Sequence, residues 1–152
     1  MYHAVLVLHS WVRWAVLIAG VLAIVRAAAA AQRRQWRPVD GRAALGFTIA
    51  LDVQFLLGLL LYFILSPITR AALHDFGGAM RNDTLRYWSV EHETGMIIAL
   101  VLAHIGRARL DRRPPERRGR TALLFFVIAF VLIVLSIPWP GVPNGRPLLR
   151  GF

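Results

Sequence analysis

The chain has 152 residues, room for one domain, and 57% of them are hydrophobic, with a mean hydropathy of +0.56. A soluble globule of this size could not hide so much apolar surface, whereas a bilayer accepts it. The net charge is +10 and every basic residue is arginine, while the complete lack of cysteine excludes disulfide exchange, thiolate metal sites, iron–sulfur clusters and covalent haem attachment.

A hydrocarbon core of about 30 Å needs roughly 20 apolar residues per helix. Four stretches meet that demand, at about residues 2–25, 44–65, 87–105 and 121–137. The expected fold is therefore an all-α membrane protein, a four-transmembrane-helix bundle spanning residues 1–152 as a single domain. No Lys or Arg precedes the first apolar run, and Arg26, Arg33, Arg34, Arg37 and Arg42 follow it. That asymmetry predicts a retained span with its N-terminus outside rather than a cleaved signal peptide. The basic loop 32–42 is expected to turn at Pro38 and Gly41. The second helix should return outward and stop at Ser66-Pro67. Ser66 suits a cap, Pro67 a first helical position and Gly77-Gly78 an end, so a short interfacial helix is expected over 67–76, across the mouth of the bundle.

Asp83 or Thr84 is the expected cap of the third helix, which should run inward to about Gly106-Arg107. The segment 107–120 carries seven arginines around Pro114-Pro115, so it should be solvated. Together with the five arginines that follow the first span these make twelve of the 18, the positive-inside pattern of a multi-pass protein of a bacterial inner membrane, both termini outside. Anionic lipid headgroups account for this charge, and a nucleic-acid patch would need interleaved stacking aromatics that these loops lack. The fourth helix is apolar nearly throughout and reads as a wall. The Pro- and Gly-containing tail, 137–152, should be extended and outside.

Ionisable groups at membrane depth are costly and usually face a partner or the interior. The first three helices carry His9, Arg13, Asp52, Gln54, Glu91, His92, Glu93 and His104. At 1.5 Å per residue, His9 and His92 both fall roughly 10 Å below the outer end of their helices, and Gly58 shares that level. Two imidazoles on separate helices at one level are suited to clamp a flat macrocycle from both faces, with Gly58 letting the ring approach the backbone. Each histidine could equally donate to a backbone carbonyl or to a glutamate. Arg13, one helical turn from His9, lies near mid-membrane and needs an acceptor. Asp52, Gln54, Glu93, a haem propionate and a quinone are the candidates. Glu91 and Glu93 flank His92, so at most one shares its face. His104 either pairs with Asp52 or meets inner headgroups. His3 and His74 lie near the outer surface, where His74 on a lid helix could replace either axial ligand.

These positions form a recognisable set. Leu8-His9-Ser10, Arg13-Trp14, Asp52-Val53-Gln54, Gly58, Leu61-Tyr62-Phe63, Arg86-Tyr87-Trp88, Val90-Glu91-His92 and Ile137-Pro138-Trp139-Pro140 resemble small four-helix bacterial membrane proteins labelled cytochrome b-like. The resemblance covers nearly all of the four spans. It implies that His9, Arg13, Gln54, Glu91 and His92 matter most. The expected function is electron transfer through one haem b held by His9 and His92 near the outer face, with Arg13, Gly58 and Gln54 around it and a quinone as a further cofactor. The alternative is a non-catalytic accessory subunit of a larger respiratory or photosynthetic membrane complex, or a homo-oligomer, with lipid as its solvent and no nucleic-acid partner. A small transporter built on Arg13 and Asp52 would call for a broken helix inside a span, and the sequence offers none.

Overall fold

The computed structural model describes residues 1–149, and among these the secondary structure is entirely helical. Helix α1 covers Tyr2–Arg33 and α2 covers Pro38–Leu60, prolonged by a π-helical turn at Leu61–Leu65. Short helices α3 (Pro67–His74), α4 (Phe76–Ala79) and α5 (Asp83–Arg86) form the connection. A second π-helical turn, Tyr87–Glu91, leads into α6 (His92–Leu110), and α7 covers Pro115–Ser136.

Three of the helices are long and apolar enough to cross a membrane: α1, α2 with its π-helical prolongation, and α7. The remaining long helix, α6, is diluted by His92, Glu93, His104, Arg107 and Arg109. α1 packs against both α2 and α7, α6 packs against α7, and α2 meets α6 more loosely. The outward surface is lined by apolar side chains such as Ile18, Leu22, Leu56, Leu124 and Leu135, as contact with lipid requires.

Several boundaries differ from expectation. α1 runs on through its alanines to Arg33, because Ala is the strongest helix former and nothing breaks the run. The connection is only residues 34–37, with Arg34 left-handed at φ 54°. Gly41 is no turn residue, since Pro38 already opens α2 at its first position. Ser66 and Pro67 do start α3, and the Ser66 hydroxyl accepts from Thr69 N at 3.4 Å. The interfacial helix breaks at Asp75, whose carboxylate caps α4 through Gly78 N, so Gly77 and Gly78 lie within that short helix. Asn82, rather than Asp83 or Thr84, caps α5. The solvated loop shrinks to residues 111–114, because Pro115 is accommodated at a helix start, and Arg117, Arg118 and Arg120 lie on the first turns of α7.

One hydrophobic core runs through the long helices toward the arginine-rich end. Phe47 of α2 meets Phe126 of α7 edge-on, with ring centroids 5.6 Å apart. Beside them α1 and α7 come together backbone to backbone, since a Cβ on Gly119 would collide with Ala30 and Ala31 main-chain atoms. Asp40 is buried there. Its Oδ1 accepts from Arg26 Nε at 2.9 Å, and its Oδ2 accepts from an Arg33 guanidinium nitrogen at 3.0 Å and from Arg37 N at 2.9 Å. Two arginines expected only among headgroups thus tie α1 to the start of α2.

Candidate functional site

At the opposite end from Asp40, α1, α2, α6 and the tail enclose a cavity of about 250 Å³. His9, Arg13, Gln54, Gly58 and His92 all line it, with Glu93, Trp88, Tyr62, His3 and Arg146. A smaller pocket of about 30 Å³ shares His9, Gln54, Gly58, His92, Glu93 and Met96, and reaches Phe55 at the α2–α6 seam.

His92 is fixed by a helix end. The last carbonyls of any helix lack intrahelical partners. The Ser136 carbonyl, ending α7, accepts from His92 Nδ1–H at 2.8 Å and from the Tyr87 hydroxyl at 3.0 Å. A carbonyl only accepts, so the proton on His92 is at Nδ1 and the Nε2 lone pair is left available. Gly95 packs against the same residue: a Cβ there would meet the Ser136 hydroxyl, which would have to rotate aside. The wall helix therefore contributes to the site through its backbone, which its side-chain pattern does not advertise.

His9 stands against α2. Its Cε1 lies 3.5 Å from where a Gly58 Cβ would be, an ordinary contact distance. Gly58 therefore brings the His9 ring against the α2 backbone, and an alanine would fit. Three polar atoms around this cavity are buried with no hydrogen-bond partner: His9 Nδ1, Gln54 Oε1 and Trp88 Nε1. Buried polar atoms are satisfied in the great majority of cases, so a cluster of exceptions on one cavity calls for a ligand or ordered water.

Arg13 does not bridge to Asp52. Its guanidinium donates to the Leu148 carbonyl at 2.5 Å and to the Ser10 hydroxyl at 3.3 Å, and Trp14 Nε1 donates to the same carbonyl at 3.1 Å. The described part of the tail is accordingly not extended outside. It turns at residues 139–145, with Gly141 at φ +89°, and folds back onto α1. The Pro-rich tail has carbonyls without helix partners, and Arg13 has donors to match them. The expected extended tail over residues 150–152 lies outside the described residues. The fold-back brings Arg146, absent from the sequence-level candidates, over the Trp88 ring at 5.1 Å and onto the cavity wall. Among the described residues its guanidinium has no carboxylate partner.

The other ionisable groups separate. Glu91 points away and accepts from Arg86 at 2.7 Å, a bond that raises the Arg86 pKa further above its ordinary value. Glu93 faces the cavity and makes no hydrogen bond or ion pair among the described residues. His104 Nε2 donates to Asp52 Oδ1 at 2.7 Å, both side chains 44% exposed, away from the cavity. His74 is exposed on α3 and does not reach the cavity, so it replaces neither histidine there.

Both π-helical turns border the site. They are joined by the Tyr62 hydroxyl donating to the Ser89 carbonyl at 2.8 Å. Such turns recur at functional sites because they re-aim the following side chains, here His92. Hydrophobic periodicity carries no trace of them. Among the described residues no group of three or more His, Cys, Asp or Glu is arranged to hold a metal ion, so metal binding at this site would rest on two protein ligands and a group brought with the metal.

Comparison with family models, with curated proteins and with solved structures finds no match for the chain.

Proposed function

We propose that this protein is a multi-pass membrane protein whose four long helices form a bundle in a bacterial inner membrane, both termini outside, and that it carries one b-type haem for electron transfer. The observation that carries the reading is the paired state of the two histidines. His92 gives its Nδ1–H to a backbone carbonyl and keeps Nε2 free, the arrangement that orients metal-bound imidazoles. His9 keeps a buried, partnerless Nδ1 on the same cavity.

The remaining residues fit the chemistry of such a group. A b-type haem, when bound, supplies a one-electron couple whose potential is tuned by its ligands and its burial. His9 and His92 would hold the iron. Arg146, stacked on Trp88 and without a carboxylate partner among the described residues, would offer its cation to a carboxylate of the group at the mouth. Trp88 Nε1 and Gln54 Oε1 would supply further hydrogen bonds, and the apolar residues Val16, Leu51 and Ile133 line the rest of the wall.

The test is an oxidised-minus-reduced optical spectrum of the purified full chain. The expected result is a Soret band with a reduced α-band in the b-type region, lost in His9→Ala and in His92→Ala while far-ultraviolet helicity is retained. A colourless, fully helical wild type refutes the reading, as does a band indifferent to both substitutions.

One observation favours a second reading, that of an accessory subunit or homo-oligomer. The half-exposed Asp52–His104 pair faces outward on helices read here as spanning lipid, where polar groups are costly unless covered. Co-purification of larger subunits, with loss of that association in Asp52→Leu, would support this reading.

A further inference from the structure

The tail that follows α7 helps to enclose the cavity, yet it is lightly attached. Ile137 and Pro138 are buried and Trp139 packs partly against the core, whereas from Pro140 to Leu149 no residue is buried. Its base is fixed, because Trp139 Nε1 donates to the Val134 carbonyl at 2.8 Å. Gly141 at φ +89° and Asn144 at φ 64° then turn the chain back, and Arg146 N donates to the Pro138 carbonyl at 2.9 Å. The far part is tied to other helices through the Leu148 carbonyl, which accepts from Arg13 and from Trp14 Nε1, and through Arg146, which lies over the Trp88 ring. Arg13, Trp88 and Arg146 all line the cavity, as does Pro138 at the base of the tail, while Trp14 stands outside it.

We propose that this tail is a releasable strap across the cavity mouth. It hinges at Gly141, is latched by the Leu148 carbonyl and by the Arg146–Trp88 stack, and opens to admit a ligand from the aqueous side. Three observations carry the proposal. Lifting the strap uncovers little apolar surface, since Val142, Leu148 and Leu149 are exposed while it is closed. The latch bonds are themselves exposed, so water takes over the Arg13 and Trp14 donors as the tail leaves and no buried polar group is stranded. Segments with few buried contacts and exposed hydrogen bonds open at the low end of a protein's free-energy scale, well below the helices that form the other walls. Arg13 and Trp88 belong to the latch and to the cavity wall at once. Occupancy of the cavity and position of the strap are therefore linked, and such linkage is reciprocal: a ligand that draws on Arg13 loosens the strap. The strap goes beyond the electron-transfer reading and stands whatever the cavity holds.

The chain has no cysteine, so single thiol reporters can be placed in the full-length protein. Val16, buried on the cavity wall, is replaced in Val16→Cys, and a small anionic methanethiosulfonate is the probe, in mild detergent. Its modification should be at least about tenfold slower than that of exposed Asp75→Cys, because the strap is mostly closed. Adding Trp14→Phe removes the indole donor and keeps a ring beside Arg13, and should speed modification about threefold to fivefold, the worth of one neutral hydrogen bond. Arg146→Gln should give a similar factor by removing the cation–π contact, and the two changes together about tenfold, since the latch points are separate. Hydrogen exchange at the Arg146 amide, which bonds across the hinge, should accelerate in parallel. An Ala122→Cys reporter, buried at the arginine-rich end, should stay slow throughout. Equal rates at Val16→Cys with and without both latch changes overturn the strap, as does modification as fast as at Asp75→Cys while the latch is intact. A rise shared by Ala122→Cys is general loosening and overturns it too. Faster modification with unchanged exchange in the tail places the entrance elsewhere and also refutes the proposal. The optical spectrum of the same samples bears only on the haem, so either claim can fail alone.

Discussion

Replacing Asp40 tests how the arginine-rich end is held. Its carboxylate accepts from Arg26, from Arg33 and from the Arg37 backbone, and none of its own side-chain surface is exposed. Asp40→Ala removes all of these bonds and leaves two guanidinium groups facing each other. Removing one partner of a fully buried pair costs about 3–5 kcal/mol. Here the Arg26 and Arg33 side chains keep 34% and 27% of their exposure, so both can turn to water or headgroup phosphates. That relief sets the expected loss at about 2–3 kcal/mol. Asp40→Asn retains an acceptor for Arg37 N and should cost about 1–2 kcal/mol. The assay is equilibrium unfolding in mixed detergent micelles, titrated with dodecyl sulfate and followed by helical circular dichroism. A double-mutant cycle with Arg26→Gln should give a coupling of about 1 kcal/mol, since the two share bonds. If Asp40→Ala stays within about 0.5 kcal/mol of wild type, or the cycle shows no coupling, the clamp contributes nothing and the reasoning fails.

Three further outcomes follow from the packing and the topology. Gly119→Val forces α1 and α7 apart at a place where only backbone atoms of Ala30 and Ala31 could yield, and should lower stability by about 1–3 kcal/mol in the same titration. Tyr87→Phe removes one of the two donors on the Ser136 carbonyl and should cost about 1 kcal/mol while leaving His92 in place, a point readable from an unchanged imidazole resonance. Because the chain has no cysteine, Arg112→Cys and Asp75→Cys report topology directly. An impermeant maleimide should label the second in intact spheroplasts and the first only after lysis, and the opposite result reverses the orientation.

The candidate-site residues named from sequence, His9, Arg13, Gln54, Gly58 and His92, do surround one cavity. The common level of His9, Gly58 and His92 was legible because helical rise is fixed, so counting residues measures depth. What they bond to was not legible. Arg13 and Asp52 lie on neighbouring helices, yet Asp52 goes to His104 and Arg13 to the tail carbonyl of Leu148. Rotation about a helix axis chooses between such partners, and rotation is set by packing. The π-helical turns ahead of His92 and after Leu60 shift that rotation without altering composition.

The apolar runs alone therefore determined that this is a helical chain made for lipid, with its polar residues gathered on few faces. Hydropathy and charge bias add up residue by residue along the chain, so no folding is needed to read them. The tertiary structure decided the contents of the site. It brought in Arg146 by folding the tail back, supplied the Ser136 carbonyl from the end of an apolar helix, and set Gly95 against the Ser136 side chain beside it. Those contributions come from backbone atoms, from small residues and from a distant segment, none of which carries a local signal. They exist only once the helices have met.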